Sequence, residues 1–176
     1  EAGMGLVIAV ATIASYGAVW WIVGLRAAGH GSLLTDGAAL LVLWLLLATA
    51  WWRRPEDTPE RRRERARRGY IIGIVTAIQA VLILLALHVL RLTHRVDLLA
   101  PVVALVIGLH FLAFARLFPA WMYYLTSALL LGLGVTGFFL GDAGVRLLTV
   151  SLGCAAILWA TCVAVLIWPE TRRRGP

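Results

Sequence analysis

Residues 69–90 read GYIIGIVTAIQAVLILLALHVL, with no Asp, Glu, Lys or Arg anywhere in the run. A helix of that length rises ~33 Å, enough to cross the ~30 Å hydrocarbon core of a bilayer. Outward from it the same pattern repeats. Gly5–Leu25, Leu33–Trp52, Leu98–Ala115, Pro119–Gly141 and Leu147–Trp168 are apolar runs of similar length, and Asp36 is the one charge inside any of them. The reading is an all-α, polytopic bundle of six transmembrane helices, over about 5–25, 33–52, 69–90, 98–115, 119–141 and 147–168.

Composition agrees. The chain is 61% hydrophobic, with a mean hydropathy of +0.89. A soluble domain of 176 residues could not hide so much apolar surface, whereas a bilayer removes the need. Six spans leave little chain for anything else, so a single membrane domain over 1–176 is expected. Short connections make sequential helices antiparallel neighbours. Glu1, Ala2 and Gly3 precede Met4, which is the expected natural start, and the first run is too long for the apolar stretch of a cleaved leader.

The charges give an orientation. All sixteen basic residues are Arg. Loop 53–68, RRPEDTPERRRERARR, holds eight of them, the tail PETRRRGP three, and Arg116 lies at the 116–120 turn. Arg26, Arg91, Arg95 and Arg146 fall on the other side. The positive-inside rule then places both termini and loop 53–68 in the cytoplasm, and six crossings require the termini to share a side. Trp51, Trp52, Tyr70, Trp121, Tyr123, Tyr124 and Trp168 cluster at the inner boundary, where amphipathic rings anchor. The net charge of +7 is thus a membrane feature and implies no nucleic acid.

Loop 53–68 has local logic. Asp57 or Thr58 can cap a helix that takes Pro59 at its first position. Glu60–Arg63 and Glu64 with Arg67 and Arg68 stand at helical pair spacing. The third helix should therefore begin near Thr58 and enter the membrane near Gly69. The plain reading of the arginines is topology; the functional one is docking of anionic lipid head groups.

Asp36, Asp97 and Asp142 each stand before an inward-running helix and are expected to cap it. Ala100–Ala104–Gly108, Ala156–Ala160–Ala164 and Gly137–Gly141 are small-residue stripes of the kind that let helices approach in lipid, within one chain or between chains. A homo- or hetero-oligomer is compatible with them.

Polar groups at bilayer depth are few, and such groups are commonly functional. His110, Gln79 with Thr76, Ser15 and Tyr16 with Thr12, and Cys154 share the middle of the membrane. Tyr16, Gln79 and His110 are the candidate ligand-binding residues, lining a midplane cavity between the first, third and fourth helices. The plainer alternative is interhelical hydrogen bonding, worth ~0.6–2 kcal/mol. An enzyme would have to use His110 as its acid–base group. At the outer mouth, Arg26, His30, Asp36, His88, Arg91, His94, Arg95, Asp97, Asp142 and Arg146 read as hydrated loop charges and caps, or less simply as an anion-accepting vestibule.

Several chemistries find no support in the residues. His88 and His110 differ in depth by ~15 Å, too far for one haem iron, so no cofactor is expected. No protease, zinc or nucleotide motif is present, and no carboxylate lies at mid-depth to relay protons or sodium. Cys154 and Cys162 are eight residues, ~12 Å, apart on one helix and cannot pair with each other.

The segment Gly108-Leu109-His110-Phe111-Leu112-Ala113-Phe114-Ala115-Arg116-Leu117-Phe118 resembles one in uncharacterised bacterial multi-pass membrane proteins, where a proline often replaces Ala113. The resemblance covers one helix. It implies a bacterial cytoplasmic membrane, and roles for His110 and Arg116, but no activity. Two functions remain: binding or moving a small molecule or lipid through a midplane cavity, and a non-catalytic membrane subunit or immunity-like partner that works through helix contacts.

Overall fold

The computed structural model describes residues 4–53, 59–117 and 120–167. They form six helices: α1 (Met4–Ala27), α2 (Leu33–Trp52), α3 (Pro59–Leu92), α4 (Leu99–Leu117), α5 (Trp121–Phe139) and α6 (Ala143–Ile167), with a 3-10 turn at Val96–Leu98 before α4. Each carries a segment long and apolar enough to cross a membrane. The protein is a polytopic helical membrane protein. The caps expected at Asp57 and Thr58, the start at Pro119, Trp168, the tail arginines and residues 1–3 lie outside the described residues. So do the side chains of the Glu60–Arg63 and Glu64–Arg67/Arg68 pairs.

Local chemistry sets the helix ends. Ser32 caps α2 by accepting from Thr35 N at 3.2 Å, while Thr35 Oγ1 accepts from Ser32 N at 2.8 Å, a reciprocal capping box. Helices α1 and α3 close with the same device. Gly29 (φ +74°) ends α1, with His30 N donating to Leu25 O at 2.8 Å. His94 (φ +55°) ends α3, with Arg95 N donating to Leu90 O at 2.8 Å. Both are left-handed Schellman closures, a conformation that suits Gly and strains His.

The three aspartates do not share one role. Asp142 is the expected cap, accepting from Val145 N at 2.7 Å. Asp36 lies inside the first turn of α2, where Ser32 already caps, and pairs with Arg26 of α1 at 2.5 Å. Asp97 sits in the 3-10 turn and pairs with Arg146 and Arg95.

Helix α6 is the hub. It packs on α1, α2, α4 and α5; α4 also packs on α5 and α3, and α1 on α2. Between these helices lies a solid core that includes Val10, Ala14, Leu46, Ala104, Ile107, Phe111, Leu130, Val150, Cys154, Leu158 and Cys162. Small residues make it tight. A Cβ on Gly108 would lie 2.9 Å from Leu131 Cγ, and one on Gly134 2.8 Å from Leu105 and 3.0 Å from the Pro101 carbonyl, so α4 and α5 approach nearly backbone to backbone. On α1, Gly17 receives the indole of Trp159, whose Nε1 donates to Ala14 O at 3.2 Å.

The stripes divide accordingly. Ala100, Ala104 and Gly108 are buried in the α4–α5 contact. Gly137 packs against Val150 and Pro101, while a Cβ on Gly141 would meet open space. Ala156 and Ala160 face outward and Ala164 is half-buried, so the α6 stripe lies outside the core. The core face of α6 is instead Val150, Ser151, Cys154, Ala155, Leu158, Thr161 and Cys162.

Helices α2 and α3 are peripheral. Helix α3 packs chiefly on α4 through one seam, with Ile72, Val75, Gln79, Ile83, Ala86 and Leu90 turned inward and the other faces open.

Candidate functional site

Three groups of polar side chains stand apart from the apolar packing. The first is Gln79 with His110 at the α3–α4 seam. Gln79 lies near the middle of the third span and is 7% exposed. His110 lies about a turn from the middle of the fourth span, toward its C-terminal end, and is half-buried. Its ring packs on Phe114, centroids 4.3 Å apart, and lies near the backbone at Val75, one turn from Gln79 on α3. Its Nδ1 is buried and has no partner among the described residues. The seam is therefore a polar spot in an otherwise greasy contact, with one ring nitrogen unpartnered.

The second group is on α1. Tyr16 sits at the middle of the first span, with Thr12 and Ser15 beside it, and all three are exposed. Helix α1 packs on α2 and α6, so the structure does not bring Tyr16 to Gln79 and His110. Thr76 is exposed on α3, and Cys154 is fully buried in the core. Thr12 satisfies its hydroxyl on Ile8 O at 2.9 Å. Among the described residues, neither Ser15 nor Tyr16 makes a side-chain hydrogen bond. Ser15 can turn back on its own helix. Tyr16 cannot, because its phenol projects away from the axis, and ~15 Å of hydrocarbon separates it from water on either side.

The third group was not singled out from sequence as buried. Arg146, 6% exposed, lies in the first turn of α6. Its Nε donates to Gly137 O and Leu140 O at 3.1 Å each, Nη2 donates to Leu140 O at 2.5 Å, and Nη1 meets the Asp97 carboxylate. It thus satisfies the open carbonyls at the C-terminal end of α5 and ties them to the turn before α4. The hydrated-charge reading of the outer mouth fails at this residue. A sequence signal existed: a cation in the first turn of a helix stands at the wrong end of the helix dipole and needs an anion or carbonyls nearby.

Smaller polar links hold the core. Thr126 and Thr161 hydroxyls meet at 2.7 Å between α5 and α6, and Ser127 Oγ donates to Gly108 O at 2.7 Å between α5 and α4. Among the described residues no group of three or more His, Cys, Asp or Glu could hold a metal ion. No protein-family model, curated protein or solved structure matches the chain.

Proposed function

We propose that this protein is a non-catalytic membrane subunit, acting through helix contacts in a bacterial cytoplasmic membrane with both termini and loop 53–68 inside. The observation that carries the reading is Tyr16. Its hydroxyl is exposed at mid-depth, with no partner among the described residues, where hydrocarbon offers none. A docked helix supplies one. The solid core and the outward small stripe at Ala156 and Ala160 fit the same role, since small residues facing lipid let a second helix approach closely. The arginine asymmetry supports the orientation.

A photo-crosslinking aromatic residue at position 16, in native membranes, should give a discrete protein adduct; lipid adducts alone would refute the proposal. Tyr16→Phe should leave the stability of the isolated bundle unchanged and weaken assembly ~3–20-fold, the equivalent of one intramembrane hydrogen bond of ~0.6–1.7 kcal/mol.

One observation favours a second reading, binding or movement of a small molecule. The unpartnered His110 Nδ1, on the same α3–α4 seam as buried Gln79, is a polar atom open to a ligand hydrogen bond. Under that reading His110→Ala and Gln79→Ala abolish binding and spare the fold. Loss of stability alone marks the pair as the attachment of α3 to α4.

A further inference from the structure

Two unsatisfied polar groups share the α3–α4 seam. Gln79 is 7% exposed at mid-depth, and among the described residues its amide makes no hydrogen bond. On the facing helix, the Nδ1 of His110 is buried and equally unpartnered. Hydrocarbon satisfies neither, and each is costly if left alone.

Helix geometry turns the two tips toward each other. The His110 ring lies near the backbone at Val75, and Gln79 is one turn, ~6 Å, further along the same face of α3. Side chains on a helix lean toward its N-terminus. The Gln79 amide therefore reaches back toward Val75. The short connection at 93–98 makes α4 run the opposite way, so the His110 ring leans along the seam toward the level of Gln79. The tips converge, yet no direct bond joins them. A direct bond needs ~3 Å between heavy atoms, whereas one water links polar atoms ~5 Å apart.

We propose that a single water molecule bridges the Gln79 amide and His110 Nδ1 across the α3–α4 seam. The amide offers both a donor and an acceptor, and the ring nitrogen a further position, within the ~2–4 partners that a buried water uses. No Asp, Glu, Lys or Arg lies in 70–90 or 98–115, so nothing there matches the charge of an ion. A bulkier guest would have to part the apolar contacts of Ile72, Val75, Ile83 and Ala86 that close the seam. The water fixes register: α3 packs chiefly on α4, and a slip of one turn would carry Gln79 away from His110. The site goes beyond both readings above. Tyr16 has no part in it, and a small molecule of the second reading would enter by displacing the water.

The test is solution NMR of the full-length protein in deuterated detergent, with histidine and glutamine isotopically labelled. The readout is magnetisation transfer from water to the carbon-bound ring protons of His110 and to the Gln79 side-chain amide. Wild type should show a cross-peak at both, with the sign of a long-held water. The exposed His30, His88 and His94 supply the comparison for passing solvent. Gln79→Leu should lower the cross-peak at His110, and His110→Phe that at Gln79, each by about tenfold or more, since one remaining partner is too few to hold a buried water. Unreactive Cys154 and Cys162 thiols verify that each variant is folded; if a variant unfolds, the wild-type spectrum decides. Wild type without the two cross-peaks overturns the proposal. So does a scalar coupling across a hydrogen bond between Gln79 and His110, which means direct contact. Cross-peaks from detergent or a co-purified organic molecule in place of water also overturn it, as does a cross-peak at His110 that survives Gln79→Leu. The crosslink at position 16 tests the subunit reading separately.

Discussion

Replacing Arg146 by Met tests its clasp on α5 and Asp97 directly. Methionine keeps the length and apolar stem and removes every donor. Three lengths of main chain lose their link: the end of α5 at Gly137 and Leu140, the turn at Asp97, and the start of α6. Hydrogen bonds to a charged group are worth ~1.5–3 kcal/mol each, but those sharing one guanidinium do not add. Breaking a buried pair from one side costs ~3–5 kcal/mol. Asp97 is one-third exposed and keeps Arg95 at 3.6 Å, so the remaining anion is not stranded. That sets the expectation at the lower end, ~3 kcal/mol. Asp97→Asn should cost only ~1 kcal/mol, because Arg146 retains its carbonyls, and the double variant should cost less than the two singles together. Arg146→Lys should fall between, since one ammonium cannot span both the α5 carbonyls and Asp97. The assay is denaturant unfolding in detergent, followed by thiol-reactive dye at Cys154 and Cys162, both 0% exposed. An Arg146→Met variant within ~0.5 kcal/mol of wild type, or an Asp97→Asn variant costing as much as Arg146→Met, would refute the reasoning.

Three further expectations need less argument. His94→Gly should stabilise the protein by ~0.5–1 kcal/mol, since His94 holds φ +55° where Gly is unstrained; a loss in the same unfolding assay would contradict it. Gly134→Val should destabilise by ~1–3 kcal/mol, because its Cβ meets Leu105 at 2.8 Å and the Pro101 carbonyl at 3.0 Å, and unchanged stability would show that α4 and α5 can part cheaply. For topology, a thiol label outside intact cells should reach His30→Cys and not Arg61→Cys; the reverse pattern would invert the orientation.

Element existence was legible because the bilayer forces long uncharged runs, and the early start of α3 because Pro59 and the Glu–Arg spacing announce a helix before the membrane. The sixth helix starts at Ala143 rather than 147 because Arg146 ended the apolar run, yet here the arginine is folded into the bundle. Side-chain direction was not legible. In a lipid-soluble sequence both the core face and the lipid face are apolar, so periodicity carries little contrast. That is why Ala156 and Ala160 could not be distinguished from Ala100 and Ala104, and why equal depth did not imply that Tyr16 meets Gln79 and His110. Depth is a one-dimensional coordinate, and the neighbour list also needs the packing order of helices.

The indole of Trp159 in its notch at Gly17 joins the first helix to the last, 145 residues apart at the Trp159–Ala14 bond. A ribosome adding ~5–20 residues per second delivers that tryptophan ~7–30 s after Ala14. Throughout that interval α1 is in the membrane with its Val10–Ala14–Gly17 face uncovered, and α2 its only native neighbour among those already made. Biogenesis of this protein therefore has a built-in wait. A stalled or truncated chain lacking α6 would present an unclosed helix, the form that membrane insertases and quality-control proteases would meet.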